Sequence, residues 1–331
     1  MHRAKIRYSV LLLLFLFSGA LPASTAGSHP EVSGKVSRPD ELSRAPLLSL
    51  IDDRGRRIRL DHFADRIVSL SPGITELVFS AGAGNKLVGA SRYSDYPDGA
   101  KSVPEVGDAS GLDFERILAL KPDVVIAWRS GNSGADIGKL EKLGLTVFAA
   151  EAARLEDIPR LLRTAGILAG TSAQAESAAR AYEEELQQIK RHYGKQNKIS
   201  VFQLIWDQPL MTINGNHMAS DIIKLCGGIN VFASTPSLTQ VVSEEDLLMT
   251  DPDAIISSVP LELGETGTRP RSRRFSQMSA VRNNHIFFVQ PDLINRQTVR
   301  TLAAAKAVCA QLERVRLVRE KQRPRSVPGT S

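Results

Sequence analysis

One segment of the chain occurs twice, and this internal repeat limits the folds that are open to the chain. Residues 112–126, LDFERILALKPDVVI, match residues 242–256, VSEEDLLMTDPDAII, at a constant offset of 130 residues. Each copy predicts a short amphipathic helix with a glutamate near its start, a break at proline, and an apolar strand that is buried on both faces. The chain is therefore predicted to contain two similarly built α/β halves.

A single long helix is predicted between the two halves, at residues 171–194. Its apolar positions recur at alternating steps of four and three, which is one stripe of an α-helix. These positions are Ala175, Ala179, Tyr182, Leu186, Ile189 and Tyr193. Thr171 and Gln174 are spaced as in a capping box, and Gly194 is a natural stop. About 22 helical residues span roughly 33 Å. We interpret the helix as a stiff connection between two lobes, with a surface helix of a single domain as the alternative.

Strands and helices alternate in both halves. The predicted strands are residues 67–70, 87–90, 124–128, 146–149 and 199–205, helices are predicted from Thr75 and at 219–225, and residues 47–60 predict a hairpin with its turn at 53–55. This alternation predicts a mainly parallel sheet covered by helices, with ligand sites beyond the carboxyl ends of the strands. The predicted boundaries are a first lobe at 47–170, a second lobe at 195–317 and a disordered tail at 318–331.

The first residues have the pattern of a secretory signal peptide. Basic residues at positions 3, 5 and 7 precede an apolar run at 10–17, and small residues follow at 23–26. We expect cleavage after Ala26, then a flexible leader at 27–46, and an exported protein. No cysteine lies near the cleavage site, so we do not expect a lipid anchor there.

The charge balance argues against nucleic acid as a partner. Without the signal peptide the chain has 39 basic and 36 acidic residues, a net charge of +3, which is too small for a nucleic-acid or anionic-membrane surface. The remaining basic residues are concentrated at 269–274 and 314–325. We interpret the first run as a solvated loop and the second as a disordered end.

The two cysteines, Cys226 and Cys309, lie in the exported part of the chain. An oxidising compartment would pair them, and two separately buried thiols are the alternative. Two cysteines without clustered histidines make a poor metal site. We therefore predict no bound metal.

Enzyme motifs are missing from the sequence. It has no Walker sequence, no nucleophile elbow and no HExxH, and its six histidines are not paired at ligand spacing. Aromatic residues instead follow the predicted strands: Tyr93, Tyr96, Trp128 and Trp206. Flat rings at a cleft edge favour a large, rigid, partly apolar ligand. The alternative is that the tryptophans pack under loops.

Several strings resemble one family over about residues 66–314. They are RIVSLSPGITEL, GASRYSDYP, LDFERILALKPDVVIAW, the CGG turn after a helix, VVSEEDLL and a second cysteine in the last helix. With them the chain resembles the periplasmic solute-binding proteins of bacterial ABC importers for iron chelates and cobalamin. SRYSDYP and the strand that ends in Trp128 are similar to the cobalamin branch of that family.

The resemblance implies two Rossmann-like lobes joined by the long helix, with a corrinoid held between them as ligand and no cofactor. Tyr93 and Trp128 would contact the corrin from the first lobe, and residues 292–296, DLINR, from the second. The ligand residues implied in that loop are Asp292, Asn295 and Arg296. A monomer that delivers its ligand to a membrane permease and its ATPase is expected in the periplasm.

The resemblance also implies roles for two further pairs of residues. Glu115 and Glu245 would each pair with arginines of the permease, one from each lobe, and placement at a helix N-terminus is a compatible structural role. Cys226 and Cys309 would form the disulfide of the family.

The chain departs from the cobalamin branch at three places. Ala109 replaces a tryptophan, an aromatic is missing near Thr239, and Ile294 and Asn295 replace an aromatic and a glutamate. Trp206 is our hypothesis for a compensating aromatic. A carrier for ferric siderophore or haem is therefore the alternative ligand class, and a secreted enzyme is a remote one.

Overall fold

The computed structural model describes residues 48–259 and 273–322. The predicted signal peptide and leader lie outside these residues, as does part of the basic run at 269–274 and of the predicted tail. Within the described residues, helices and strands form two α/β lobes joined by one long helix. No helix among them is both long enough and apolar enough to span a membrane.

The first lobe is built on a parallel sheet. Its strands are β1 (Leu48–Ile51), β2 (Arg57–Leu60), β3 (Ile67–Ser69), β4 (Leu87–Ala90), β5 (Gly107–Asp108), β6 (Gly111–Leu112), β7 (Val124–Trp128) and β8 (Val147–Ala150). Its helices are α1 (Pro72–Ser80), α2 (Phe114–Ala119), α3 (Gly134–Lys142) and α4 (Asp157–Ala169). The strand order is β4-β3-β7-β8, all parallel, with β3 paired to β7 from Ile67↔Val124 to Ser69↔Ile126. The predicted hairpin is confirmed as β1 and β2.

The long helix α5 (Ser172–Tyr193) follows the first lobe. Five of its predicted apolar residues are buried, and Tyr193 is partly buried against the same core. Gly166 of α4 lies so close to Ala175 that a Cβ at the glycine would be 2.3 Å from the alanine Cβ. The capping-box prediction was wrong: the Thr171 hydroxyl makes no cap bond and donates to the Ala81 carbonyl, 2.7 Å away.

The second lobe repeats the topology of the first. Its strands are β9 (Ile199–Leu204), β10 (Trp206–Asp207), β11 (Leu210–Ile213), β12 (Gly228–Asn230), β13 (Thr239–Val241), β14 (Ala254–Ser257) and β15 (Ile286–Phe288). Its helices are α6 (Met218–Leu225), α7 (Glu244–Thr250), α8 (Ser279–Arg282), α9 (Pro291–Ile294) and α10 (Thr301–Gln322). The parallel order β12-β9-β14-β15 corresponds to β4-β3-β7-β8, and a small antiparallel sheet, β10-β11-β13, is added.

The two copies of the sequence repeat occupy equivalent places. α2 leads into β7 and α7 leads into β14, and each strand is the third in its sheet. Four residues of β7 and all four of β14 are buried, which explains why the strands read as apolar throughout. The prediction of two similarly built halves is confirmed.

One hydrophobic core continues from lobe to lobe. It includes Ile67 and Phe148 of the first sheet, Leu186 of α5, and Ile199 and Ile256 of the second sheet. The opposite face of each sheet has a separate core of its own. α5 therefore packs into both lobes, which favours the interpretation of a stiff connection.

The last helix continues further than predicted. α10 reaches Gln322, so the tail boundary placed at residue 318 lies inside the helix and is corrected. Arg316, interpreted as part of a solvated run, is buried. Its guanidinium donates to the carbonyls of Asn197 and Cys226 and pairs with Glu313. A basic residue is stable there because carbonyl oxygens and a carboxylate satisfy its donors.

A disulfide links Cys226, at the end of α6, to Cys309 of α10, which is 83 positions further along the sequence. Both residues are fully buried in the shared core. The bridge that the family resemblance implied is therefore present, and it fixes α10 to the second lobe.

Removal of the disulfide should destabilise the protein without changing its fold. We expect the double variant Cys226→Ala/Cys309→Ala to lose about 2 to 4 kcal/mol of unfolding free energy, because the unfolded chain gains the freedom of a long loop. Urea unfolding followed by circular dichroism measures this loss. Dithiothreitol should destabilise the wild type by a similar amount and leave the variant unchanged. Equal stability of the oxidised wild type and the variant would contradict the prediction.

Candidate functional site

The predicted aromatic residues lie where the parallel strands end. Tyr93 and Tyr96 follow β4, Trp128 is the last residue of β7, and Trp206 comes shortly after β9. β4 and β7 both flank β3, so their carboxyl ends meet at the same edge of the first sheet. In open α/β sheets this edge is the usual ligand site.

Trp128 is held by the loop that follows its strand. Its backbone N–H donates to Asn132 Oδ1 at 2.7 Å, and its indole Nε1 donates to Glu151 Oε1 at 3.3 Å. A Cβ at residue 131 would lie 1.9 Å from the indole ring. Only a glycine at this position therefore leaves room for the ring to cover the loop. The indole is partly exposed. The two interpretations of Trp128 are thus compatible, because the ring packs on a loop and still presents a surface.

The residues after β4 form a loop with two exposed tyrosines. We call residues 91–97 the tyrosine loop. Tyr93 has a left-handed backbone with φ 66° and its side chain is 69% exposed, while Tyr96 is 46% exposed. A left-handed conformation is unfavourable for a residue with a bulky side chain, so contacts of the loop must hold it.

The second lobe contributes Arg296 to the tyrosine loop. Its Nη1 donates to Asp95 Oδ1 at 2.9 Å and to Glu76 Oε1 at 3.0 Å. Its Nη2 donates to the Tyr93 carbonyl at 3.3 Å and pairs with Asp292 at 2.9 Å. The side chain is only 13% exposed. Arg296, which the resemblance assigns to the ligand, therefore also joins the two lobes.

Glu76 lies at the centre of this contact. It belongs to α1 of the first lobe and is 1% exposed. Arg300 Nε donates to Glu76 Oε2 at 2.8 Å and Arg300 Nη2 to Glu76 Oε1 at 2.5 Å, while Arg296 shares the same Oε1. The Arg300 guanidinium also lies over the Tyr96 ring, 3.9 Å from its centroid. We call Glu76, Arg296 and Arg300 the interlobe clamp.

The electrostatics around the clamp favour the charged forms of Asp95, Arg296 and Arg300. The hydrogen bond from Arg296 lowers the pKa of Asp95 below its ordinary value. Burial alone would lower the pKa of Arg296, but its hydrogen bonds to Asp95 and Glu76 outweigh burial and the pKa is raised. For Arg300 the hydrogen bond to Glu76 is the main cause of a raised pKa. Glu76, Arg296 and Arg300 are therefore each paired with an opposite charge, and Glu76 is almost completely buried.

Trp206 lies on the small antiparallel sheet of the second lobe. It is opposite Met211 of β11, which is opposite Val241 of β13. Directly opposite residues share one face of a sheet, so these three side chains form an apolar row. Trp206 is 55% exposed and Val241 is also exposed. The predicted ligand role of Trp206 is compatible with this surface, and it stays a prediction.

The DLINR loop consists of the last three residues of α9 and the two residues after it. Asp292 is partly exposed and faces Arg296, as described above. The side-chain oxygen of Asn295 is buried and has no hydrogen-bond partner among the residues that the structure describes. Ala109, where the cobalamin branch has a tryptophan, is exposed in the turn between β5 and β6.

Glu115 and Glu245 occupy equivalent positions. Each is the second residue of its helix, α2 or α7, and each is exposed. The helices are capped alike, because the Asp113 side chain accepts from the Arg116 N–H and the Ser243 hydroxyl accepts from the Asp246 N–H. The repeat therefore presents one glutamate from each lobe, while the docking role stays a prediction.

Sequence reasoning missed Glu76 and Arg300. Every residue from Gly73 to Val78 in α1 is buried, and a carboxylate in such a segment requires a partner. This signal could have identified Glu76. It could not have identified Arg300, which lies 224 positions away. The described residues contain no group of three or more His, Cys, Asp or Glu arranged to hold a metal ion.

Comparison with known proteins identifies the family to which the chain belongs. The sequence profile of the family described as periplasmic binding protein matches residues 67–293, and the chain belongs to this family. It is 34% identical over 252 residues to a vitamin B12-binding protein of Vibrio parahaemolyticus serotype O3:K6 (strain RIMD 2210633), covering 76% of this chain and 90% of the relative. It is 33% identical over 250 residues to one of Yersinia pestis (strain Pestoides F), covering 75% and 86%.

Solved structures agree with this assignment. The crystal structure of the periplasmic vitamin B12 binding protein BtuF of Vibrio cholerae has a TM-score of 0.72 and 32% sequence identity, and the match covers 76% of this chain and 98% of that chain. The periplasmic heme-binding protein RhuT from Roseiflexus sp. RS-1 has a TM-score of 0.66 at 22% identity, covering 76% and 99%. At that identity the second likeness shows the fold alone. The two-lobe α/β fold predicted from the sequence is confirmed.

Neutralising Glu76 should destabilise the protein because it leaves two partly buried arginines without their shared charged partner. We expect Glu76→Gln to lower the unfolding free energy by about 3 kcal/mol, measured by urea unfolding at pH 7. The control is Glu156→Gln, whose exposed carboxylate lies 3.7 Å from Lys190. The control should change stability by less than about 0.5 kcal/mol. A loss for Glu76→Gln no larger than for the control would show that the pairing contributes little.

Proposed function

We propose that this chain is the periplasmic component of an ABC importer that captures cobalamin or a related corrinoid between its two lobes. The observation that carries the proposal is the identity of 33% to 34% with vitamin B12-binding proteins, which extends over both lobes. The solved relative with the same architecture is also a periplasmic vitamin B12 binding protein. The chain would be exported by the predicted signal peptide, which is expected to end at Ala26.

The residues at the strand ends support a flat ligand. Tyr93 and Trp128 present partly exposed rings from the first lobe, and Trp206 presents one from the second. Such rings bury a large area at a small cost in side-chain entropy. Asp292, Asn295 and Arg296 would supply polar contacts, with Arg296 at the junction of the lobes.

The proposed role is transport without chemistry. The corrinoid is cargo, so no resident cofactor or bound metal is part of the proposal, and the chain acts as a monomer that docks on a permease and its ATPase. The family consists of binding proteins, which supports a role other than catalysis. No nucleic-acid partner is proposed.

Haem or a ferric siderophore is the second candidate ligand. Three features favour it: Ala109 stands in place of a family tryptophan, Thr239 where an aromatic is expected, and Asn295 in place of a family glutamate. Titration with haemin or with a ferric siderophore would distinguish this candidate, because binding would then require the iron complex.

The ligand proposal is tested by titration calorimetry of residues 27–331 with cyanocobalamin. We expect stoichiometric binding of the wild type, and for Trp128→Ala an affinity about 5- to 150-fold weaker, which is the 1 to 3 kcal/mol typical of a hot-spot aromatic. The control is Phe63→Ala, an exposed aromatic that precedes β3 at the opposite end of the sheet, and it should bind as the wild type does. Unchanged affinity of Trp128→Ala would remove this ring from the site. Lack of wild-type binding would redirect the proposal to haem and ferric siderophores.

We propose that Glu115 and Glu245 dock the protein on the permease. Both are exposed, both lie in the first turn of equivalent helices, and there is one in each lobe. A two-lobed protein that binds a two-fold symmetric transporter needs one anion on each side. Favourable placement near the helix N-terminus is an additional effect and does not conflict with docking.

Charge reversal separates docking from ligand binding. The double variant Glu115→Lys/Glu245→Lys should bind cyanocobalamin with wild-type affinity and should abolish cobalamin uptake by cells that depend on this protein. The control is Glu184→Lys/Glu320→Lys, which reverses two exposed glutamates on α5 and α10 and should leave uptake intact. Uptake that survives reversal at Glu115 and Glu245 would rule out the docking role.

A further inference from the structure

The interlobe clamp contacts the part of the first lobe that carries two of the exposed tyrosines. Arg296 and Arg300 belong to the second lobe, yet each contacts the tyrosine loop at one tyrosine. Both arginines also bind the single carboxylate of Glu76. The loop is therefore held by residues that come from the other lobe and are themselves oriented by one buried group.

At Tyr93 the contact is with the backbone. Arg296 donates to the carbonyl of Tyr93 at 3.3 Å and to the side chain of Asp95, two residues further on, at 2.9 Å. The backbone at Tyr93 is left-handed, a conformation that needs support from its surroundings. These two hydrogen bonds fix the peptide that directs the exposed ring.

At Tyr96 the contact is with the ring. The Arg300 guanidinium lies 3.9 Å from the centroid of the Tyr96 ring. Its two hydrogen bonds both go to Glu76. A guanidinium over an aromatic face is attracted by the ring electrons, more strongly where water is scarce. Because Arg300 is bound on one side by Glu76, it offers Tyr96 a surface with little freedom to move.

The first lobe holds the loop by other contacts that do not involve the tyrosines. The Ser91 N–H donates to the Ser69 carbonyl at 2.9 Å, and the Thr75 hydroxyl donates to the Ser94 hydroxyl at 3.0 Å. These bonds fix the start and the middle of the loop. Loss of the clamp would therefore leave the loop attached and would free mainly the two tyrosines.

We infer that Glu76 and Arg300 are positioning residues for the ligand site, which hold Tyr93 and Tyr96 in their binding orientation across the junction of the lobes. The ligand part of this inference rests on the proposed function. Because Arg296 and Arg300 share Oε1 of Glu76, release of either arginine changes the position of the other. The clamp therefore couples both tyrosines to one carboxylate.

Hydrogen exchange tests the positioning without any ligand. In Arg300→Met we expect the amide of Ser94, which donates to the Ser91 carbonyl within the tyrosine loop, to exchange about tenfold faster than in the wild type, while the amide of Ser91, which donates to the Ser69 carbonyl, and the amides of β7 and β14 stay unchanged. The matched control is Arg180→Met, which removes an exposed arginine bound to Glu176 on α5 and should leave the tyrosine loop unchanged. If Arg300→Met does not fold, Arg300→Lys tests the same point, because lysine keeps the charge but not the paired contact with Glu76. Unchanged exchange of the loop would overturn the inference.

A double-mutant cycle tests whether the clamp acts through the tyrosines. Arg300→Met should weaken cyanocobalamin binding about tenfold in the wild type, and less than twofold in the Tyr93→Ala/Tyr96→Ala background. Arg300→Lys should recover part of the loss. An equal loss in both backgrounds would mean that Arg300 acts elsewhere, and would overturn the inference. If the wild type does not bind cyanocobalamin, the proposed function fails, while hydrogen exchange still decides the positioning.

Discussion

The carboxylate of Glu76 is the interaction on which the arrangement of the two lobes depends. A charge that is almost completely buried is unstable unless it is paired and hydrogen-bonded, and both partners of Glu76 belong to the other lobe. Separation of the lobes at this point would break the pairing of Glu76 with both arginines and would leave Arg296 with Asp292 of its own lobe. The shared core around α5 joins the lobes through apolar contacts. The clamp joins them through charge, so two different kinds of interaction oppose their separation.

The duplicated architecture explains why both lobes contain candidate site residues. Each sheet has the same strand order and ends in loops at the same edge, so the two lobes present similar edges. The lobes then differ in what those loops carry. The first has Tyr93 on a loop and Trp128 at the end of β7, and the second has Trp206 on an added antiparallel sheet with Met211 and Val241 beside it. A common scaffold with unlike edges allows one ligand to be recognised by two different surfaces.

Much of the fold could be predicted because its signals are local. The apolar stripe of α5, the strand at Val124–Trp128 and the repeat that contains it depend on spacing alone, and all three are present. The errors arose where a distant group decided the outcome. Thr171 binds the Ala81 carbonyl instead of capping its helix, and the buried Arg316 binds the carbonyls of Asn197 and Cys226, which are 119 and 90 positions away. The pairing of Glu76 with Arg300 belongs to the same class, because no spacing rule connects residues so far apart.

The clamp also affects how much entropy is lost when a ligand binds. A loop that is ordered only when the ligand arrives reduces affinity by the entropy of ordering it. Here the left-handed Tyr93 and the stacked Tyr96 are held by contacts within the protein itself, from Arg296 and Arg300. The entropy of ordering these two tyrosines is therefore lost during folding, where the pairing of Glu76 with two arginines offsets it. A stiff α5 and a preformed clamp together favour a site that changes little on binding. In such a site, we expect recognition to depend on which side chains occupy the strand ends, and we expect the substitutions at Ala109 and Asn295 to influence ligand preference.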